Sequence, residues 1–339
     1  YIKSGVYIVT VPTPYIEETK KVDMKYVVKA VNTILDICEK GTIIIIESTI
    51  SPGSIDEHIR PAIQKRGFVI GEDIHLIHAP ERILPGNMIY ELEYNSRTVG
   101  ADDEEIGYKV IELYKSFCKA EIVLTDIKSA EMSKVVENTF RDINIAFANE
   151  LAIICREAGL DVYEVIRIAN KHPRVKILSP GPGVGGHCIP VDPWFLIGDY
   201  PDQTKVISWA RKVNDDMPKY VLRRTLEIMK ENNIKDFSKV GIYGLSYKEN
   251  VDDVRESPSL QLLKVIKDNN LPAPIVYDPY IKNTIVDNQY QNFEEFLKSS
   301  ELIIVLVAHK ELIANSEKLK HKVVYDTRNI INLPGVYKL

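Results

Sequence analysis

The sequence lacks a long hydrophobic run, a basic cluster and a cysteine framework, and each absence removes a class of function. Its longest apolar stretches, such as Ile43–Ile46 and Leu302–Ala308, are strand-sized, well short of the ~20 residues that cross a membrane as a helix. Lys and Arg number 43 against 48 Asp and Glu, for a net charge of −5. No basic run stands out, so sequence-independent binding to nucleic acid is not expected. Only four cysteines occur in 339 residues (Cys38, Cys118, Cys155 and Cys188), none in a C-x-x-C pair. That excludes a disulfide scaffold, a zinc knuckle and a thioredoxin motif, and makes a reduced cytoplasmic protein the default. There is no internal repeat and no low-complexity tract. The chain starts at Tyr1, with neither Met nor signal peptide, and runs almost at once into a strand. What is present is an ordinary globular balance, 45% apolar and 27% charged. It can bury a large core, and its length suggests two or three domains.

Strands and helices alternate over the first third. Val6–Val11 is a β-branched run closed by Pro12-Thr13-Pro14. Asp23 can cap a helix over Met24–Glu39, where Val27, Val28, Val31, Ile34, Leu35 and Cys38 recur at helical spacing and Gly41 marks the end. Thr42–Ile46 reads as a strand buried on both faces, Ser54–Arg66 as a helix and Ile74–His78 as a strand. This order predicts a parallel doubly wound sheet. Helix then takes over. Ser129–Gly159 predicts one long helix, on the order of 40 Å at ~1.5 Å per residue. A second helical region, Gln203–Asn233, is expected to be interrupted by Pro218, and His172 to Pro201 is loop-rich. The last third predicts strand Lys239–Gly244, a helix opened by Ser257-Pro258 and running through Lys267, and strand Pro274–Tyr277. Helix Phe293–Lys298, strand Glu301–Val307 and strand Val323–Asp326 follow, the last closing the sheet.

Gly181-Pro-Gly183-Val-Gly185-Gly186 formally matches G-x-G-x-x-G. A dinucleotide fingerprint follows a strand and opens a helix, however, and Pro190 and Pro193 argue against a regular helix here. A flexible loop that lets backbone approach a ligand or a catalytic side chain fits better. The loop continues into His187-Cys188-Ile189-Pro190-Val191-Asp192. Cys38, Cys118 and Cys155 read as small hydrophobes. Cys188, on a Gly/Pro loop, reads equally as a nucleophile or an inert thiol, and a nucleophile would need nearby donors or positive charge. Asp192 could orient a water or a base. His187 has no second ligand at a useful spacing, so no metal is expected.

Lys134, Asn138 and Arg141 recur at i, i+4 and i+7 on the long helix, one stripe that runs into Ile145. A solvated face is the ordinary reading of such a stripe. Its passage into an apolar one points instead to a buried polar pocket. Ala79-Pro80-Glu81-Arg82 follows a strand directly, and Thr13 and Thr49 occupy equivalent strand ends, where doubly wound folds place ligands. Gly241-Ile-Tyr-Gly244-Leu-Ser246-Tyr-Lys248, with Asp252-Asp-Val-Arg255-Glu-Ser257-Pro258, puts a Lys and an Arg in a β–α connection. That pair suits a phosphate or diphosphate, or is plain surface. Lys248 stands where the second Gly of G-x-S-x-G would be, which rejects a serine hydrolase.

In this order and combination these segments resemble the UDP-sugar dehydrogenase family (UDP-glucose/GDP-mannose dehydrogenases), over nearly the whole chain. The motifs that carry the resemblance are Val11-Pro-Thr-Pro14, Glu47-Ser-Thr49-Ile-Ser-Pro-Gly53, Ala79-Pro-Glu81-Arg82, Lys134-x-x-x-Asn138, Gly185-Gly-His-Cys188-Ile-Pro-Val-Asp192 and Gly244-Leu-Ser-Tyr-Lys248. Asn170-Lys-His172-Pro-Arg174-Val and Val191-Asp-Pro-Trp194-Phe are most similar to the members that act on UDP-N-acetyl-D-mannosamine. Members that oxidise UDP-N-acetylglucosamine at C6 come next.

The resemblance implies a fold of three parts: a partial Rossmann-like NAD-binding domain (residues 1–125), a central helical dimerisation and catalytic-loop region (126–220) and a C-terminal Rossmann-like UDP-sugar-binding domain (221–339). It implies NAD as cofactor, a UDP-N-acetylhexosamine as substrate and a homodimer or higher homo-oligomer. It further implies a four-electron oxidation of the C6 hydroxyl to a carboxylate through a Cys188 thiohemiacetal and thioester, with Lys134, Asp192 and Glu81 as the other catalytic groups. Arg82, Ile83, Lys134, Asn138, Arg141, Gly185 and Lys248 would hold the substrate. His172 and Arg174 would be contributed across a dimer interface, and Thr13, Thr49 and Arg255 would contact the cofactor. The family's opening G-x-G-x-x-G β-α-β unit does not occur in this sequence. The chain is therefore expected to bind nucleotide sugar better than NAD and to turn over weakly, or to act as a non-catalytic nucleotide-sugar binder.

Overall fold

β-branched residues fill Thr42–Ile46 (β2) and most of Val6–Val9 (β1), and these two strands and Ile74–His78 (β3) pair as parallel strands in the register Val6↔Ile43 and Ile46↔His78. The computed structural model describes residues 2–83 and 87–339. The chain forms two compact units, Tyr1–Thr139 with Val191–Thr204 and Phe140–Pro190 with Lys205–Leu339.

The first unit carries a five-stranded sheet in the order β1-β2-β3-β4-β5, completed by Arg97–Ala101 (β4) and Ile122–Thr125 (β5). The sheet is not parallel throughout, as the strand–helix alternation had suggested. β3 and β4 pair antiparallel through Ile77↔Ala101 and His78↔Gly100. The chain leaves the carboxyl end of β3, forms the short helix Met88–Tyr94 and re-enters from the same end, so no crossover to the other edge takes place. Ile45, Ile77 and Val99 pack against Val110, Ile111 and Tyr114 of the helix Glu104–Lys115. Each fully buried Ile or Val of this kind contributes about 1.5–3 kcal/mol. The first helix spans Lys25–Leu35, shorter than its apolar spacing suggested, and Asp23 Oδ1 accepts the Lys25 N–H at 3.1 Å. The helix after β2 opens with a π-type turn, Ile55–Ile59, and continues as Arg60–Lys65.

Among the described residues, two helices exceed 25 residues: Ile127–Glu157 and Lys205–Glu231. Pro218 does not interrupt the second. It lies on the buried face beside Met217, Tyr220 and Val221, and that packing offsets the ~3 kcal/mol a mid-helix proline costs. The loop-rich stretch after His172 ends in a helix that the sequence reading did not anticipate, Asp192–Asp199. Pro193 opposes a helix interior but suits a first turn, where its missing N–H costs nothing, and it sits there.

The second unit holds a six-stranded, all-parallel sheet: Val240–Tyr243 (β6), Ile275–Tyr277 (β7), Gln289–Tyr290 (β8), Leu302–Val305 (β9), Val323–Asp326 (β10) and Tyr337–Lys338 (β11). Its order is β11-β10-β9-β6-β7-β8, the doubly wound dinucleotide-fold order, with its switch point between β6 and β9. β11 extends the sheet beyond β10, the edge expected from sequence. Met217, Val221 and Ile228 of the helix Lys205–Glu231 and Leu262 and Ile266 of the helix Pro258–Asp268 cover Ile242 and Ile304. The Ser257 hydroxyl caps that second helix by accepting the Ser259 N–H at 3.1 Å.

Candidate active site

A buried carboxyl and its two partners lie in the first unit. Asn138 donates through Nδ2 to Asp192 Oδ2 at 2.6 Å, and Asp192, Asn138 and Lys134 are 3%, 6% and 8% exposed. Four-residue spacing stacks Lys134 and Asn138 on one helix face, and Asp192 opens its own short helix. Burial pushes the Asp192 carboxyl up to about 6, against the pull of the Asn138 bond and the Lys134 charge. Such a group changes protonation near physiological pH, as a general base or acid must. Arg141, the third member of the sequence stripe, is exposed. Seven residues carry it about 10 Å along the axis from Lys134, where the face is open to solvent.

The carboxyl ends of β1, β2 and β3 gather further candidates. The Thr13 hydroxyl donates to the Thr49 carbonyl at 2.6 Å. Glu81 is engaged at both oxygens: Oε1 accepts the Arg82 N–H at 2.6 Å, and Oε2 accepts from Arg97 at 2.8 Å. The Arg82 guanidinium pairs with Glu137 at 2.5 Å and reaches Ser96 and Thr98. Ile83 is half-buried. Glu131 is fully buried and accepts the N–H groups of Gly53 at 2.5 Å and Ile55 at 3.0 Å. It supplies from the long helix the cap that Ser54 does not make. Burial pushes Glu131 up to about 7, against those two bonds.

In the second unit the loop 181–188 is held closely. The Gly186 N–H donates to the Arg255 carbonyl at 3.0 Å. A Cβ at Gly185 would stand 2.7 Å from Tyr247 Cβ and 2.8 Å from the Glu256 carbonyl oxygen, so the glycine there serves close packing. The Gly181 N–H donates to Asn149, whose amide donates to Asn214, which in turn reaches Asp142. Cys188 is half-buried and within electrostatic reach of Tyr247 and Arg255. Arg255 is exposed and ion-paired with Asp253 at 2.6 Å. The Lys248 carbonyl accepts from Ser246 at 2.8 Å. His172 and Arg174 are both exposed, and His172 Nδ1 accepts the Arg174 N–H at 3.3 Å.

Several polar groups here were not singled out from sequence. Asp278, directly after β7, accepts the N–H groups of Leu245 and Ser246 at 2.6 and 3.0 Å and pairs with His309 at 3.2 Å. His309 Nδ1 accepts the Asn250 N–H, which leaves the Nε2 proton for Asp278. Burial would raise Asp278, but His309 and the two N–H groups outweigh it and hold the carboxyl down at about 2. A strand-end Asp is a readable signal for such a role. Glu131 and Arg97 carried none, because their partners are far away in sequence.

Three segments match a known family. Residues 2–118 match the NAD binding domain of the UDP-glucose/GDP-mannose dehydrogenase family, 128–216 its central domain and 241–333 its UDP binding domain. The UDP-N-acetyl-D-mannosamine dehydrogenase of Methanococcus vannielii is 42% identical, over 97% of this chain and 77% of that protein. The chain belongs to the UDP-glucose/GDP-mannose dehydrogenase family. The solved UDP-D-ManNAc dehydrogenase of Pyrococcus horikoshii matches at a TM-score of 0.91 and 38% identity, over 99% of this chain and 80% of that one. An NDP-N-acetyl-D-galactosaminuronic acid dehydrogenase of Ralstonia solanacearum is 37% identical, over 96% of this chain and 78% of that protein. As a family member, the chain is an NAD-dependent oxidoreductase of nucleotide sugars. The Thr13 hydroxyl and the Thr49 carbonyl are uncharged hydrogen-bonding groups, a donor and acceptor set compatible with the hydroxyl and amide groups of NAD. No helix among the described residues is long and apolar enough to cross a membrane.

Proposed function

We propose that the protein oxidises UDP-N-acetyl-D-mannosamine at C6 to UDP-N-acetyl-D-mannosaminuronate. The observation that carries the reading is the buried Asp192–Asn138 pair beside Lys134, a titratable carboxyl with an ammonium and an amide, four residues after Cys188. The chain itself keeps Cys188 within ~14 Å of Asp192. Two molecules of NAD, bound in turn, would each accept one hydride. The Cys188 thiolate adds to the C6 aldehyde, giving a thiohemiacetal whose oxidation leaves a thioester. Lys134 stabilises the oxyanions at C6. Asp192 in its ionised form takes the proton from the water that cleaves the thioester, releasing the Cys188 thiol and the carboxylate. Glu81 takes part in the water and proton steps.

Asn138, Arg141, Arg82, Ile83, Gly185 and Lys248 hold the substrate, and Thr13, Thr49 and Arg255 the cofactor. In this scheme residues 1–125 serve the cofactor, 126–220 the chemistry and 221–339 the UDP group. A homodimer fits the exposed Phe140, Phe147 and Ile154, which recur at heptad spacing along the long helix. His172 and Arg174, both exposed, would then reach the other copy's substrate. The mannosamine preference is supported by the relatives of that name. Initial rates with UDP-N-acetylmannosamine, UDP-N-acetylglucosamine and UDP-glucose test it. The highest kcat/KM is expected for the first, and preference for UDP-N-acetylglucosamine would overturn the substrate assignment.

A further inference from the structure

Arg97, the first residue of β4, is an arginine with an unusual setting. Its side chain is 7% exposed, and its guanidinium lies over the rings of Tyr114 at 4.9 Å and Phe117 at 5.3 Å. Two carboxylates face it. Arg97 Nη2 donates to Glu81 Oε2 at 2.8 Å, and Nη1 stands 3.9 Å from Glu47 Oε1. Glu47 also accepts the Tyr114 hydroxyl at 2.5 Å. The two acids come from the ends of neighbouring parallel strands, β2 and β3, and the Glu81 N–H donates to the Glu47 carbonyl at 3.4 Å. Two carboxyls brought together in a half-buried place repel each other, and burial opposes ionisation of both. Burial raises Glu47, the Tyr114 bond opposes that rise, the Glu81 charge adds to it and the Arg97 charge lowers it. A guanidinium is costly to bury. A purely architectural need at the start of β4 would be met by an apolar side chain, with no carboxylate to balance.

We propose that Arg97 is a positioning residue for the oxidation: it is the shared counter-ion that lets Glu47 and Glu81 stand side by side and aims the Glu81 carboxylate. The arrangement explains how Glu81 is held. Its Oε1 is fixed by the Arg82 N–H and its Oε2 by Arg97, so the carboxylate has one orientation. The aromatic rings fix the guanidinium in turn, and the Tyr114 hydroxyl turns Glu47 toward the same group. The consequence for the reaction rests on the assignment of Glu81 to the water and proton steps. The counter-ion role stands apart from it.

The test uses the full chain with Arg97→Met and Arg97→Lys, read in two independent ways. Side-chain carboxyl 13C NMR titration follows Glu47 without any need for turnover. Its midpoint is expected to rise by about one unit in R97M and to stay near the wild-type value in R97K. An unmoved Glu47 in a folded R97M overturns the proposal. Steady-state kinetics reads the second part. R97M is expected to lose about 10²-fold in kcat with KM for the nucleotide sugar little changed, and R97K to recover most of the loss. Wild-type kcat in R97M, or a loss carried by KM alone, rejects the positioning role. Absence of turnover in the wild-type chain would count against the assigned activity, and the Glu47 titration would still decide whether Arg97 is the counter-ion.

Discussion

The first unit's Asp192 and the second unit's Asp278 are buried acids set in opposite ways, although burial also raises Asp142 in the second. In the first, Glu47, Glu131 and Asp192 are all pushed up by burial, the last two to about 7 and about 6. In the second, Asp278 at an equivalent strand end is held down at about 2 by His309 and the Leu245 and Ser246 N–H groups. The chemical types are the same and the burial is similar, so the partners make the difference. Asp278 is supplied with donors until its charge is cheap, and it then ties the loops after β6, β7 and β9 together. Asp192 has one amide and one nearby ammonium, too little to make its charge cheap. That leaves a proton poised near neutral pH, a cost to folding and, under the proposed function, an asset to catalysis.

Replacing the acids should break this contrast from both sides. The largest effect is expected at Asp192→Asn. Turnover should fall by about 10²–10⁴-fold. Because the folded pKa of Asp192 is raised, its contribution to stability is present at acid pH and lost as pH rises through about 6. D192N should therefore be more stable than wild type at pH 8, by up to about 3 kcal/mol, with no such advantage near pH 4. Urea unfolding at the two pH values checks this. In wild type, kcat/KM should decline as pH falls through about 6, and D192N should lack that limb.

Asp278→Ala should do the reverse and destabilise the fold, by about 3 kcal/mol, because it strips a buried imidazole and two N–H groups of their acceptor. A stability gain in D278A, or a loss in D192N at pH 8, would erase the distinction. Gly185→Ala sharpens it within the second unit. The added methyl meets Tyr247 and the Glu256 carbonyl and should cost about 1–3 kcal/mol, seen in the thermal midpoint, with a fall in kcat as the Cys188 loop shifts. Ser257→Ala removes only a helix cap, and should cost about 1 kcal/mol in the same measurement.

Much of the architecture was legible because burial writes itself into composition. β2 and β3 fall at the bounds that their isoleucine-rich runs suggest, and β10 ends at Asp326 as expected. The expectations from sequence do not include β4, β5 or the helix Glu104–Lys115, nor with them the antiparallel turn of the first sheet. The two prolines misled for one reason: Pro193 and Pro218 were weighed by propensity, while position and packing decided. In the site, Lys134, Asn138 and Asp192 were legible from helical spacing and loop context. Glu131 was not, since it bonds to Gly53, 78 residues away. Nor was Arg97, which meets Glu81 only because β3 and β4 run antiparallel. Such pairs depend on topology, which local patterns do not encode.

The central claim is that this chain carries a sugar alcohol through to the acid on Cys188. The most direct measurement counts NADH formed per UDP-N-acetylmannosamine consumed, in wild type and in Cys188→Ser. The account predicts two equivalents and a uronate product for wild type, with the full reaction lost in C188S. One equivalent with a released aldehyde in wild type, or two equivalents in C188S, would contradict it.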